Sequence, residues 1–150
     1  MTSWSIRPFA EPDTDAVVRL WHAAELTRPW NDPYLDIARK LTVQPELFLV
    51  AALDAGTTEG GGIVGTVMGG YDGHRGWLYF LASDPAHRRE GIGRALVLEA
   101  ERLMTAMGCP KIQLMVRPGN EAVLAFYDAI GYERFDVSTT GKRLIVDARP

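Results

Sequence analysis

The chain has 150 residues, of which 47% are hydrophobic and 23% charged, with a formal net charge of -3 at pH 7. That length supports one domain over residues 1–150 with a single sizeable core, and the mixture is that of a folded chain rather than a disordered or fibrous one. The acidic balance gives no global attraction to nucleic acid or anionic membrane, no apolar run approaches the ~20 residues that span a bilayer, and Met1-Thr2-Ser3-Trp4 lacks a charged leader, so a cytoplasmic location is expected. The lone Cys109 excludes an internal disulfide. Neither it nor His22, His74 and His87 has metal-ligand spacing, and no metal is expected.

Alternation from Ser3 to Phe9 predicts a first strand. With Asp13 as N-cap, Val17, Leu20, Trp21 and Ala24 recur at helical spacing until Arg28-Pro29. A proline-bracketed aromatic loop, Arg28 to Tyr34, leads to a short helix lined by Ile37 and Leu41. Leu47 to Leu53 reads as a buried strand. Asp54 to Gly62 is a Gly/Thr-rich connection, and Ile63–Tyr71 and Trp77–Ser83 form a hairpin around Asp72-Gly73 and Gly76. A long amphipathic helix over Gly91–Met107 stops at Gly108 and Pro110. Ile112, Leu114 and Val116 alternate in a fifth strand, Ala122–Ile130 is a fourth helix ended by Gly131, and Tyr132 to Asp147 reads as two closing strands around Gly141. The order is that of a mixed α/β domain with a crossover helix after a glycine loop.

That loop, Arg88-Arg89-Glu90-Gly91-Ile92-Gly93-Arg94-Ala95, has the chemistry of an anion cradle. Its glycines permit a tight bend, the following helical turn leaves amide N–H groups unpaired, and three arginines add charge. It lacks the Lys-Ser/Thr of the P-loop and the third glycine of the dinucleotide fingerprint.

The longer string Leu81-Ala82-Ser83-Asp84-Pro85-Ala86-His87-Arg88-Arg89-Glu90-Gly91-Ile92-Gly93-Arg94-Ala95-Leu96, followed by Asn120, Phe126-Tyr127 and Gly131-Tyr132, resembles the GCN5-related N-acetyltransferase (GNAT) superfamily over nearly the whole chain. Trp30-Asn31-Asp32-Pro33 and Gly69 to Gly76 look like its small bacterial YpeA-like branch. The resemblance implies a strongly twisted central sheet of about seven strands flanked by four helices. It also implies acetyl-CoA as co-substrate and an amine acceptor as partner, with self-association into a homodimer compatible with the chain.

By the same resemblance the amides of Arg89, Glu90, Gly91, Ile92, Gly93 and Arg94 hold the pyrophosphate, with Arg88 and Ala95 completing the cofactor-binding loop. Leu81, Ala82 and Ser83 run beside the pantetheine, and Asn120 bonds its arm. Tyr127, seven residues beyond Asn120 and so near the same helical face, resembles the general acid, since a phenol with a reference pKa of about 10 stays protonated at neutral pH. The positions where relatives place a basic glutamate fall on Trp77 and Met115, which cannot accept a proton. Tyr79, His74, Asp72 and Asp32 remain as alternatives. The acceptor pocket is expected from Arg28–Tyr34, the Tyr71–Gly76 hairpin and Lys142-Arg143, with Trp30, Asp32, Tyr34 and Tyr79 meeting a cationic amine. Acetyl transfer to a small-molecule amine by direct attack in a ternary complex is the leading expectation. A protein N-terminal or lysine acetyltransferase is the alternative, and a non-catalytic acyl-CoA-binding module the alternative of another class.

Overall fold

The structure is a computed structural model that describes residues 3–54 and 62–147; most of the expected Asp54–Gly62 connection lies outside the described residues. Five strands, β1 (Trp4–Pro8), β2 (Phe48–Leu53), β3 (Ile63–Tyr71), β4 (Gly76–Ser83) and β5 (Ile112–Gln113), lie in the order β1-β2-β3-β4-β5. The first three pairings are antiparallel, while β4 and β5 are parallel. The helices are α1 (Thr14–Ala23), α2 (Pro33–Lys40), α3 (Ile92–Ala106) and α4 (Glu121–Ala129). A mixed α/β fold follows, and among the described residues no helix is long and apolar enough to cross a membrane.

The sheet is buried on both faces. Val17, Leu20 and Trp21 of α1 and Ile37 of α2 pack with Phe48, Val50, Ile63 and Met68 on one side. Ile92, Leu96, Val97, Ala100 and Met104 of α3 pack with Leu49, Ala51, Val64, Val67 and Leu78 on the other. The alternation of β2 supplies both clusters, as a period of two requires. At Gly65 α3 lies close against the sheet: a Cβ there would sit 2.5 Å from Ile92 Cγ2 and 2.9 Å from Leu96 Cδ1. The 3.6-residue period of α3 and the absence of a side chain at Gly65 therefore set one contact.

Three local expectations are corrected. Asp13 stands at the N-terminus of α1, but its carboxylate makes no cap to that helix; it accepts a fork from Arg7 at 2.7 and 2.9 Å and the Ala10 N–H at 2.9 Å. The fifth strand pairs only over Ile112–Gln113, because Leu114 and Val116 diverge from β4 and line a cleft instead. The two closing strands do not form, so the sheet has five strands where about seven were expected. A two-residue β5 gives the tail little edge to extend. Val137, Leu144, Ile145 and Val146 stay in solvent, leaving no burial to offset the entropy of ordering a ladder. Polar ties hold the tail instead: Arg134 bonds Asp128 at 2.7 Å, Arg143 bonds Asn31, and Arg39 bonds the buried Asp147 at 2.5 Å.

Candidate active site

Pairing between β4 and β5 ends at Trp77 and Gln113. Beyond that point the strands part, and a cavity of about 480 Å³ fills the wedge between Leu78–Leu81 and Leu114–Arg117. Trp30 and Asn31 close one side, Val123 and Tyr127 of α4 another.

Strand β4 is bulged in this wedge. Thr66 stands opposite Ala82 and Met68 opposite Tyr79, so three steps on β4 face two on β3. The extra residue bends the strand and takes backbone out of the ladder. Phe80 absorbs the bulge in a left-handed conformation, φ +51°, which costs a non-glycine residue ~1–2 kcal/mol. Buried contacts hold it there. The Trp21 ring stacks on Phe80 at 3.9 Å, the Trp21 Nε1–H donates to Thr66 Oγ1 at 2.9 Å, and the Thr66 hydroxyl donates to the Phe80 carbonyl at 2.8 Å. Trp21 and Thr66 are fully buried. Nothing in the sequence singles out this trio, since Trp21 and Thr66 are 45 positions apart and each reads as ordinary core.

The glycine loop leads from β4 into α3. Arg89 (φ +66°) and Gly91 (φ +75°) are both left-handed, a geometry that curls successive N–H groups toward one concavity. Gly91 takes the N-cap position without a side-chain cap, and the Ala95 N–H donating to the Gly91 carbonyl at 3.0 Å is the first bond of the helix. The amides from Ile92 to Arg94 are therefore the orphan donors of a helix start. Ile92, only 2% exposed, anchors this turn in the core beneath α3. Arg88, Arg89 and Arg94 are exposed and make no ion pair among the described residues, whereas Glu90 is taken by His87 Nδ1 at 2.9 Å.

Leu81 lines the cavity; Ala82 turns into the α1 face of the core and Ser83 ends the strand against Gly65. Asn120 holds the N-cap position of α4, yet its side chain makes no capping bond. Tyr127 is 6% exposed, packed edge-on by Phe126 and Tyr132, and its hydroxyl has no hydrogen-bond partner among the described residues. Burial pushes its pKa up to about 12, so it stays protonated throughout the neutral range. Tyr132 next to it is already used, its hydroxyl donating to Glu101 at 2.8 Å.

Of the residues expected at the acceptor, Trp30 and Tyr79 line the cavity with Tyr127, while Asp32 and Tyr34 do not. Asp32 caps α2 by accepting the Tyr34 N–H at 2.9 Å, and the Tyr34 hydroxyl reaches Asp15 at 3.1 Å. The Tyr71–Gly76 hairpin is also elsewhere. It docks on the far end of α3 through the Tyr71 hydroxyl to the Gly108 carbonyl at 3.4 Å, and Asp72 is spent on the N–H groups of His74 and Arg75, which hold its pKa below the ordinary range. Arg28, from the segment expected at the acceptor, lines the cavity, as does Arg117, which is unmarked in the sequence.

A family model described as acetyltransferase (GNAT) family matches residues 15–132, which contain the loop, the bulge and Tyr127. The chain belongs to this family. Acyl-CoA-dependent N-acetyl transfer, with acetyl-CoA as co-substrate, is the activity that GNAT membership carries. An acetyltransferase of Pectobacterium atrosepticum is 51% identical over 142 residues, covering 95% of this chain and 96% of the relative. Among solved structures, Ard1 from Thermoplasma volcanium matches this GNAT chain with a TM-score of 0.71 at 28% identity, covering 85% of this chain and 81% of that one. The NatC complex bound to Gag peptide and CoA matches with a TM-score of 0.76 at 25% identity, covering 89% and 87%.

Proposed function

We propose that the enzyme moves the acetyl group of acetyl-CoA to the primary amine of a small molecule, by direct attack with both substrates bound. The observation that carries this reading is the composition of the wedge cavity, which brings Tyr127 and the bulged backbone of β4 together and has no Cys, Ser, Thr, Lys or His in its lining. The only side-chain hydroxyls in the lining are the phenols of Tyr79 and Tyr127, both kept protonated by burial and so poor nucleophiles for an acetyl-enzyme intermediate. In the proposed step the amine nitrogen attacks the thioester carbonyl carbon and the C–S bond breaks. Tyr127 hands its phenolic proton to the departing sulfur, and the amine releases one to solvent. The amides of Arg89 to Arg94 and the free Asn120 side chain are assigned to the pyrophosphate and the pantetheine arm. Bulged backbone at Phe80 and Leu81 is assigned to the thioester oxygen, where one donor contributes ~2.7–4 kcal/mol in comparable sites. A cavity of about 480 Å³ suits a small acceptor.

The same lining contains no carboxylate or imidazole, consistent with Trp77 and Met115 standing where a base was sought. Deprotonation then falls to the amine's own equilibrium and water. In free-thiol assays the rising, low-pH limb of kcat/KM should track the pKa of each acceptor across a panel of amines. A limb fixed at one pH for every amine would point to an enzyme-borne base.

Tyr127→Phe tests the acid. We expect kcat to fall ~100-fold or more with the acetyl-CoA Kd changed by less than about twofold. Full turnover with normal binding overturns the assignment. A peptide N-terminus is the second reading, favoured by the likeness to the peptide-bound NatC complex. Thiol release with peptides and none with small amines would select it.

A further inference from the structure

We propose, resting on the transfer reading above, that the acceptor is a small amine that also carries a carboxylate or phosphate. Its anionic end is held by Arg117, Lys142 and Arg143 while its nitrogen lies between Trp30 and Tyr79. The wedge cavity opens into a second one that shares Trp30, Met115 and Arg117 with it and is otherwise lined by Arg39 and residues 141–145 of the tail. The whole chain carries more acidic than basic residues, 19 against 16. The joint lining inverts that balance, with Arg28, Arg39, Arg117, Lys142 and Arg143 and no Asp or Glu.

Three of these cations have no ion-pair partner among the described residues. Arg39 is neutralised by Asp147 and Asp36 and drops out. Arg117 and Lys142 have no hydrogen-bond or ion-pair partner among the described residues, and Arg143 donates only to neutral oxygens, the Asn31 side chain and the Ile145 carbonyl, the one carboxylate in its electrostatic reach being Asp147, which Arg39 already holds. Cations that gather from two distant segments without ion-pair partners make a fixed positive potential. Such a potential concentrates anions and repels polycations, and a guanidinium fork matches the two oxygens of a carboxylate or phosphate. The phosphates of acetyl-CoA do not account for them, because the loop assigned to those phosphates lines neither cavity.

This field also bears on the missing base. Nearby like charge disfavours an ammonium, and three cations against one carboxylate leave the site net positive, so the bound amine loses its proton more readily than in water. Trp30 sits at the junction of the two cavities, where it separates the reacting nitrogen from the anion-binding end.

The test compares matched acceptors by thiol release, using pH-independent kcat/KM: β-alanine with β-alaninamide, phosphoethanolamine with ethanolamine, and diaminopropane. The expected result is a preference of about tenfold or more for at least one anionic member over its neutral partner, with the diamine poorest. Which pair shows the larger ratio separates carboxylate from phosphate. A Lys142→Glu, Arg143→Glu double variant should erase the preference while acetyl-CoA still binds, which verifies its fold. Equal or better use of neutral amines or the diamine, or an intact preference in the double variant, overturns the proposal. If no compound releases thiol, small-amine transfer is what fails. Calorimetric titration of the same compounds into the CoA-bound enzyme then decides this proposal: tighter binding of the anionic members supports it, and equal binding overturns it.

Discussion

At the start of α3 the groups left unpaired are backbone amides, braced by Ile92 and Leu96, which are at most 2% exposed. Around the cavity that adjoins the wedge the polar and aromatic groups are side chains, Trp30, Arg117 and Lys142 among them, all exposed and drawn from three separate segments. A site made of backbone depends on chain conformation, which core packing enforces, and tolerates many side chains. A site made of exposed side chains depends on identity at each position. The first construction suits a co-substrate common to a family, and the second an acceptor that differs among its members.

The sharpest way to break that contrast is to disturb the backbone end without touching a ligand. Thr66→Val removes the hydroxyl that accepts from Trp21 and donates to Phe80, leaving a buried indole N–H and a carbonyl unpaired at a cost of ~1–3 kcal/mol each. Phe80 then has less to hold it left-handed. We expect kcat to drop ~10-fold or more by analogy with the loss of an oriented oxyanion donor, alongside a lower Tm. Thr66→Ser, which keeps the hydroxyl, should restore most of the turnover. If Thr66→Val lowers Tm and leaves kcat unchanged, the trio is only core packing.

Gly91→Ala addresses the loop itself. With φ at +75° and nothing within 4 Å of a Cβ placed there, the penalty is conformational rather than steric, ~1–2 kcal/mol, so the acetyl-CoA Kd should rise about tenfold with little change in acceptor KM. An equal loss of acceptor affinity would mean that the two ends are not separable.

The same contrast accounts for what could be read from the sequence. Glycine positions and helical period report backbone geometry, so the loop, α3 and the sheet from β2 to β4 were readable, as was α4 with Asn120 at its start. The wedge was not, because it arises where Leu114 to Arg117 leave β4, and alternation alone made them a continuing strand. Asp32 looked available for an amine only because its capping bond to Tyr34 is invisible in composition. The closing strands were expected from apolar alternation after Tyr132, a pattern that here is not converted into burial. Arg117 carried no local pattern, since its meeting with the Arg28–Tyr34 loop depends on how a strand end and a distant loop pack together.

The smallest expected effect concerns the tail that carries Lys142 and Arg143. The Arg39 guanidinium and the Asp32 N–H, at 2.5 and 2.8 Å, hold the Asp147 carboxyl below its ordinary pKa. A carboxyl whose pKa is lowered by folding stabilises the folded arrangement fully above the unfolded value of about 3.9, and that contribution fades as pH falls through the lowered native value. The tie should therefore be insensitive to pH from 5 to 8 and loosen only in acid. Hydrogen exchange at the Asp32 amide, with protection flat across the neutral range and falling below about pH 4, measures it directly. Asp147→Asn should reproduce at pH 7 what acid does to the wild-type chain: it keeps a hydrogen-bond acceptor for Asp32 and loses the charge for Arg39. Acceptor KM should rise a few-fold, while the acetyl-CoA Kd, which we propose is set at the backbone end, stays where it was. A parallel rise in both would show that the tail supports the whole cleft rather than its acceptor end.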